Sequence, residues 1–444
     1  MRNPNPKRLN NLTPELFSKL FHQAIKLEYQ DKVYDEAEIC PHCENEKSWK
    51  YCKEKRIFCR LITDEGFEDI GITVVRNQCS KCRKTSYSKS PFYPNCSYGK
   101  PVVDLALFLT AKNPFNRVES ILLNFGIQID RDSVKNYNKM FKDRVSKKAG
   151  IKMFDEDIGV NLLKLFFNVD NVNQLKKKYP QLKAVESGSD ETYPRKKGAK
   201  KALKEENKIR KVLGEDEKKY PDGFTTATSY LPTIKSYASL IVTENPFSSL
   251  FGRLLRLPLF GSDYNLTDGH GGYNNYPNHE RCLFHLAKNE AKKDKVLKKL
   301  EKSAFPDEVK KYLRNKYQEM KEEMLKMMKE GYPQFVTPDD KFTGALTTNC
   351  IEGGNWRIKH ELRTEYTNIN SITGRSILIA IEDSIYTFRG GKPDESFVHA
   401  NSSFKFEDVM SIRIEKEKIK MGLKLPKNFP RLEFNPLSVR NMKW

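Results

Sequence analysis

The chain has 444 residues, 38% of them hydrophobic and 31% charged, with a formal net charge of +21. That composition excludes a disordered chain, and the cationic surplus points to polyanionic partners, nucleic acid first and an anionic membrane surface second. No window holds the ~18 uncharged apolar residues of a membrane span, and the N-terminal "MRNPNPKRLNNLTPELF" lacks the apolar core of a signal peptide.

The expectation is therefore a protein of a reducing cytoplasm with no membrane partner, long enough for two or three domains. Residues 1–39 contain a short amphipathic helix, "TPELFSKLFHQAIKLEY", with Thr13 as its cap and Pro14 suited to its first turn. Residues 40–98 are Cys-rich and strand-like, with β-branched runs such as "GITVVRNQC". Residues 99–150 change to a helical period in "PVVDLALFLTAK", "NRVESILLNFGI" and "RDSVKNYNKMFKDRV".

A long region, 151–395, begins with a stretch that reads as helical and ends at "KKKYPQ". Strands follow in "LKAVESGSDETY", "GFTTATSYL" and "SYASLIVT", the last two joined by the hairpin connection "PTIK". Next come the helix "NPFSSLFGRLLRL", a short strand running into a glycine-rich turn in "DYNLTDGHGGY", and a charged helical insertion over about 279–345. The helix "TTNCIEGGNWRIKHELR" follows, and residues 396–444 form a tail. The order strand, strand, strand, helix, strand, helical block, helix predicts an α/β fold. Its centre would be a ribonuclease-H-like mixed-sheet core with a helical insertion, preceded by a zinc ribbon and a helix-turn-helix.

Paired cysteines in a reducing setting read as metal ligands. "CPHC" (Cys40, Cys43) and "CSKC" (Cys79, Cys82) are two knuckles, each turning a pair of thiolates toward one ion, which together predict a structural Zn²⁺ site of a zinc ribbon. The 35 residues between Cys43 and Cys79 exceed the usual ~15–20 of such sites and include Cys52 and Cys59, which leaves an exchange of ligands open. Buried structural thiols or a redox pair are the plainer alternatives.

The helix, "FGIQIDR", helix pattern over 115–145 carries an Asp-Ser cap and fits a helix-turn-helix. Its second helix would offer Lys135, Asn138, Lys139 and Lys142 to DNA; the alternative is a plain helical hairpin packed beneath a catalytic domain.

A protein that cuts DNA with two metal ions needs about three carboxylates converging on them. In a ribonuclease-H-like sheet these stand on the first strand, at the end of the fourth, and on a late helix. Asp190, Asp268 and Glu352 are the candidates at those places. Cations follow Asp190 at once in Arg195, Lys196 and Lys197, and helical spacing puts Trp356, Lys359 and Arg363 on the face of Glu352. Asp170, after the apolar "LLKLFFNV", rivals Asp190 as first acid, and Asp263 competes weakly with Asp268.

Taken together, "SDETYPRKKG", "LTDGHGGY", "ERCLFH" and "TTNCIEGGNWRIK" resemble the DDE transposases of prokaryotic insertion sequences, most of all the Mutator-like group, over roughly residues 40–390. The resemblance implies a nucleoid-associated enzyme that binds the terminal inverted repeats of its element and target DNA as a dimer or larger. It also implies cleavage and strand transfer with two Mg²⁺ (or Mn²⁺) ions held by Asp190, Asp268 and Glu352. Cys282 and His285 in "RCLFH" read either as packing residues or as part of a metal site. A catalytically inactive, transposase-derived DNA-binding regulator and a ribonuclease-H-like nuclease are the alternatives.

Overall fold

Strand pairing and helix packing divide the protein between a long hairpin near the N-terminus and a seven-stranded mixed sheet with helices on both faces. The computed structural model describes residues 15–63, 65–151, 158–182, 185–192, 207–214, 224–243, 247–268, 270–276, 279–281, 349–362, 369–386 and 404–414, with a few more between 306 and 322. The chain divides into the units Met1–Ile412 and Arg413–Trp444, and the first is described below. No helix among the described residues is long and apolar enough to cross a membrane.

Helix α1 (Glu15–Tyr29) is followed by β1 (Val33–Tyr34), β2 (Ser48–Thr63), β3 (Gly66–Cys79) and β4 (Thr85–Tyr87). β2 and β3 form an antiparallel hairpin registered from Ser48↔Cys79 to Thr63↔Gly66, so the first and last residues of the hairpin meet beside the cysteine knuckles. β2 is the outer strand. Helices α2 (Lys100–Thr110), α3 (Phe115–Asn124) and α4 (Arg131–Ala149) come next, and the Asp130 carboxylate caps α4 by accepting the Ser133 N–H at 2.7 Å.

β5 (Gly150–Ile151) and β6 (Ile158–Asn161) lead to the short helices α5 (Leu162–Phe167) and α6 (Val172–Lys178). The start of the stretch expected to be helical is thus strand: β6 pairs antiparallel with β9, and this long-range pairing overrides the local pattern. β7 (Glu186–Thr192), β8 (Thr225–Leu231) and β9 (Ser236–Thr243) form an antiparallel meander. Its second turn closes over Pro232–Ile234, with Lys235 left-handed at φ 50°. After α7 (Ser249–Arg256), β10 (Tyr264–Thr267) returns parallel to β7, and β11 (His279–Arg281) lies parallel to β10. The sheet order is β11-β10-β7-β8-β9-β6-β5. Helices α8 (Asn349–Leu362), α9 (Ile369–Tyr386) and α10 (Glu407–Met410) complete the set.

Alternation along the strands divides the apolar side chains between two cores. Tyr230, Tyr237, Leu240 and Val242 join α4, α8 and α9 on one face; Ala227, Leu231, Ala238 and Ile241 join α6 and α7 on the other. The first core runs without a break from Ile25 in α1 to Met410 in α10, so the N-terminal hairpin, the helices and one sheet face share an interior. α4 lies inside this assembly, packed against α2, α3, α5, α9, α10 and β6.

Candidate metal centres and active site

Two clusters of metal-ligating side chains stand out among the described residues. The first follows from strand register. β7 and β10 are parallel, Thr267 is the partner of Ser189, and one step further along both strands Asp268 reaches the level of Asp190. Ligand oxygens of Asp190, Glu191 and Asp268 all lie within 4.8 Å of one another, near the carboxyl ends of adjacent parallel strands. Open α/β sheets commonly bind ligands at such a position.

β7 is central yet polar, because its small side chains find partners across the sheet. Ser187 donates to Asn265 Oδ1 at 2.5 Å, and the hydroxyls of Ser189 and Ser229 are 2.8 Å apart. This explains why the residues before Asp190 lack the apolar run expected of a buried strand.

Helix α8 crosses the same place. The Asn355 amide donates to Asp190 Oδ2 at 2.8 Å, and Asn355 Oδ1 accepts the Thr228 hydroxyl of β8 at 2.8 Å. Ile358 and Leu362 sink into the core, while the Arg357 guanidinium donates to Glu382 (2.8 Å) and to Asp383 of α9. Glu352 is three residues before Asn355 on this helix, a spacing that puts both on one face. The side chains of Glu352 and Trp356 are outside the described set.

Crowding of acids sets the electrostatics. Burial, and then the charge of Asp268, push the Glu191 carboxyl up to about 7, against the Tyr273 hydroxyl that donates to Glu191 Oε2 at 2.6 Å. Asp268 accepts the His270 N–H at 2.8 Å. Carboxylate oxygens are hard donors suited to Mg²⁺ or Mn²⁺, and a divalent cation would relieve the repulsion that this packing creates. The donor set therefore fits such an ion.

The rival acids have other tasks. Asp170 pairs with Lys164 at 2.8 Å, and that ammonium holds its carboxyl below the usual range. Asp263 accepts Lys176 Nζ and the Val185 N–H, both at 2.6 Å, and so ties the approach to β7 to that of β10. Neither belongs to the acid cluster. Sequence reasoning passes over Glu191, although the adjacent "DE" of β7 is a signal; Thr228 and Tyr273 carry none, since only the fold brings them to the acids.

The second cluster joins Cys40, Cys43, Cys79 and Cys82, whose sulfurs lie within 4.8 Å of one another. Cys40 and Cys82 are 3.6 Å apart, as are Cys43 and Cys79. Thiolates ~2.3 Å from a tetrahedral ion stand ~3.8 Å apart, whereas a disulfide requires ~2.05 Å; the four sulfurs fit Zn²⁺. The Cys82 backbone N–H, joined by that of Lys81, pulls the Cys79 thiol down to about 6. The long spacer between the knuckles is the β2–β3 hairpin itself. Cys59 is buried in its core, where desolvation pushes its thiol up to about 12, and Cys52 is exposed; neither joins the cluster.

Expected DNA contacts divide by burial. Lys135, Lys139 and Lys359 are exposed. Asn138 (1% exposed) and Lys142 (7%) face inward, correcting their assignment as DNA contacts: α4 is covered on the sides from which they project, and Lys142 pairs with Asp143 at 2.8 Å. Arg195, Lys196, Lys197 and Arg363 lie outside the described residues, as do Cys282 and His285. Another cationic surface stands on the outer strand β2, where Trp49, Lys50, Tyr51, Lys53 and Lys55 are exposed and Arg83 of the second knuckle stacks on Trp49 at 4.9 Å. No known protein family matches the chain, and no curated protein is similar to it.

Proposed function

We propose that the chain is a DNA transposase of the DDE type, with a ribonuclease-H-like core and an N-terminal zinc ribbon. The observation that carries this reading is the meeting of Asp190 and Asp268 at the ends of neighbouring parallel strands, beneath the helix that bears Glu352. Further support comes from the strand order: counting β7, β8, β9, β10 and β11 as one to five, the sheet runs five-four-one-two-three, with the first three antiparallel and the last two parallel to the first. The +21 charge suits a polyanionic substrate, which the exposed cations of β2, α4 and α8 would hold by its phosphates.

Asp190, Asp268 and Glu352 would hold two Mg²⁺ or Mn²⁺ ions, which when bound activate a water or a 3′ hydroxyl and neutralise charge at the phosphate. The chain's own part is to orient these carboxylates: strand register sets the first two side by side, and α8 delivers the third. Cys40, Cys43, Cys79 and Cys82 would hold Zn²⁺ and close the base of the β2–β3 hairpin. Joining two element ends to a target calls for at least a dimer.

The test is nicking of a supercoiled plasmid carrying the DNA that flanks the gene, with Mg²⁺ or Mn²⁺. Wild type and Asp170→Asn should nick at the flanks, while Asp190→Asn, Asp268→Asn and Glu352→Gln should not. Nicking by the three acid variants at the wild-type rate would end the proposal. Tight, salt-sensitive binding without cleavage by any form would favour a regulator instead.

A further inference from the structure

Asn355 is a polar side chain held almost wholly inside the protein, 3% exposed, and both ends of its amide are used. An ionised carboxylate only accepts hydrogen bonds. The NH₂ end must therefore face Asp190, and the oxygen must face Thr228, itself fully buried on the adjacent antiparallel strand. The three groups form a chain from β8 through α8 to β7: Thr228 O–H to Asn355 Oδ1, then Asn355 N–H to Asp190 Oδ2, each 2.8 Å.

This chain does two things at once. It holds the Asp190 carboxylate in one rotation, with Oδ2 fixed against the Asn355 amide. It also ties the helix carrying Glu352 to the strand carrying Asp190, three residues from Glu352 itself. Ile358, Leu362 and the Arg357 ion pairs with Glu382 and Asp383 anchor the following turns of α8. Packing seats the helix, and Asn355 connects that seat to a ligand atom.

We propose that Asn355, oriented by Thr228, is a positioning residue that sets the divalent-metal affinity of the acid cluster by coupling Asp190 to the helix of Glu352. The proposal rests on the reading of that cluster as a metal site. Groups that orient metal ligands typically contribute 10–100-fold in metal affinity when removed.

Mn²⁺ binding to the zinc-loaded full-length protein, followed by electron paramagnetic resonance, provides a readout independent of turnover. Asn355→Ala should weaken Mn²⁺ binding at least about tenfold. Thr228→Val, which keeps the shape and removes the hydroxyl, should weaken it in the same direction, and Thr228→Ser should restore it. In the nicking assay the same variants should need more Mn²⁺ for half-maximal rate, with the rate at saturating metal much less affected. A purely structural role would lower the melting temperature of Asn355→Ala and Thr228→Val alike and leave Mn²⁺ affinity at the wild-type value, which would overturn the proposal. Should Asn355→Ala not fold, the pair Thr228→Val and Thr228→Ser decides the matter: equal Mn²⁺ affinities overturn it. Wild type whose Mn²⁺ binding is unchanged by Asp190→Asn would overturn the metal-site reading itself, and this inference with it.

Discussion

Asp104 is the clearest case of a single side chain whose surroundings set its chemistry. It projects from α2 beside the Tyr93 hydroxyl, which donates to it at 2.8 Å, at the edge of a cavity of about 490 Å³ that Phe108, Leu378, Phe404 and Phe406 also line. Burial, opposed by that hydrogen bond and reinforced by Glu407, pushes its carboxyl up to about 6. The folded protein therefore holds this proton more tightly than the unfolded chain does, and stability falls as pH rises from about 4 through about 6. Asp104→Asn keeps an acceptor for Tyr93 and removes the charge. Thermal melts should show the variant roughly 1–3 °C more stable than wild type at pH 8 and no more stable at pH 4; equal melting at both values would refute the assignment. The cysteine cluster, read as the proposed zinc site, makes a second prediction at this scale. Cys79→Ser should lose the bound zinc measured by chelator release, while Cys52→Ser should retain one ion per chain, because only Cys79 of the two reaches the sulfur cluster.

Between elements, the crossing of α4 and α9 is tight enough to read from one glycine. A Cβ on Gly374 would stand 2.3 Å from Asn138 Oδ1, and the Asn138 amide makes no hydrogen bond there. Gly374→Ala should cost about 1–3 kcal/mol by overpacking. The double variant Asn138→Ala/Gly374→Ala should recover most of that loss in a denaturant titration, since the atom in the way is gone. An additive double variant would show the two helices to be held apart by something else. The same crossing covers one side of α4: Asn138 meets α9, and Arg144 donates to the backbone carbonyls of Pro94 and Met410. Lys53 and Lys55 on the open strand β2 have no such cover. Lys53→Glu/Lys55→Glu should weaken DNA binding and flatten its salt dependence by up to about two phosphate contacts. Asn138→Ala should leave that slope unchanged.

Over the whole molecule, the feature with most consequence is one core continuous from Ile25 to Met410. The hairpin with the cysteine cluster at its base and the sheet with the acid cluster are parts of the same unit. Removing zinc should therefore lower the melting temperature of the unit as a whole, in one transition, rather than melt the hairpin ahead of the rest. Calorimetry with and without a zinc chelator distinguishes the two cases.

Local chemistry made several parts of this protein legible in the sequence alone. The Cys-x-x-Cys knuckles, the period-2 runs of β8 and β9, the cap before α4, and Asp268 at the point where a strand gives way to glycines each depend on residues close together in the chain. Asp190 was legible as one candidate of two; that it, and not Asp170, stands beside Asp268 came from register, because the pairing of β7 with β10 brings it level with Asp268. The strand character of β6, the inward turn of Asn138 and Lys142, the place of Glu191 in the acid cluster, and the bridge from Thr228 through Asn355 to Asp190 were decided by tertiary structure. Each depends on what a distant segment sets beside the residue: a partner strand, a covering helix, a second charge, or a hydrogen-bond donor 127 residues away. Sequence periodicity tells which face of an element is apolar, but burial and electrostatics belong to the pair of surfaces that meet.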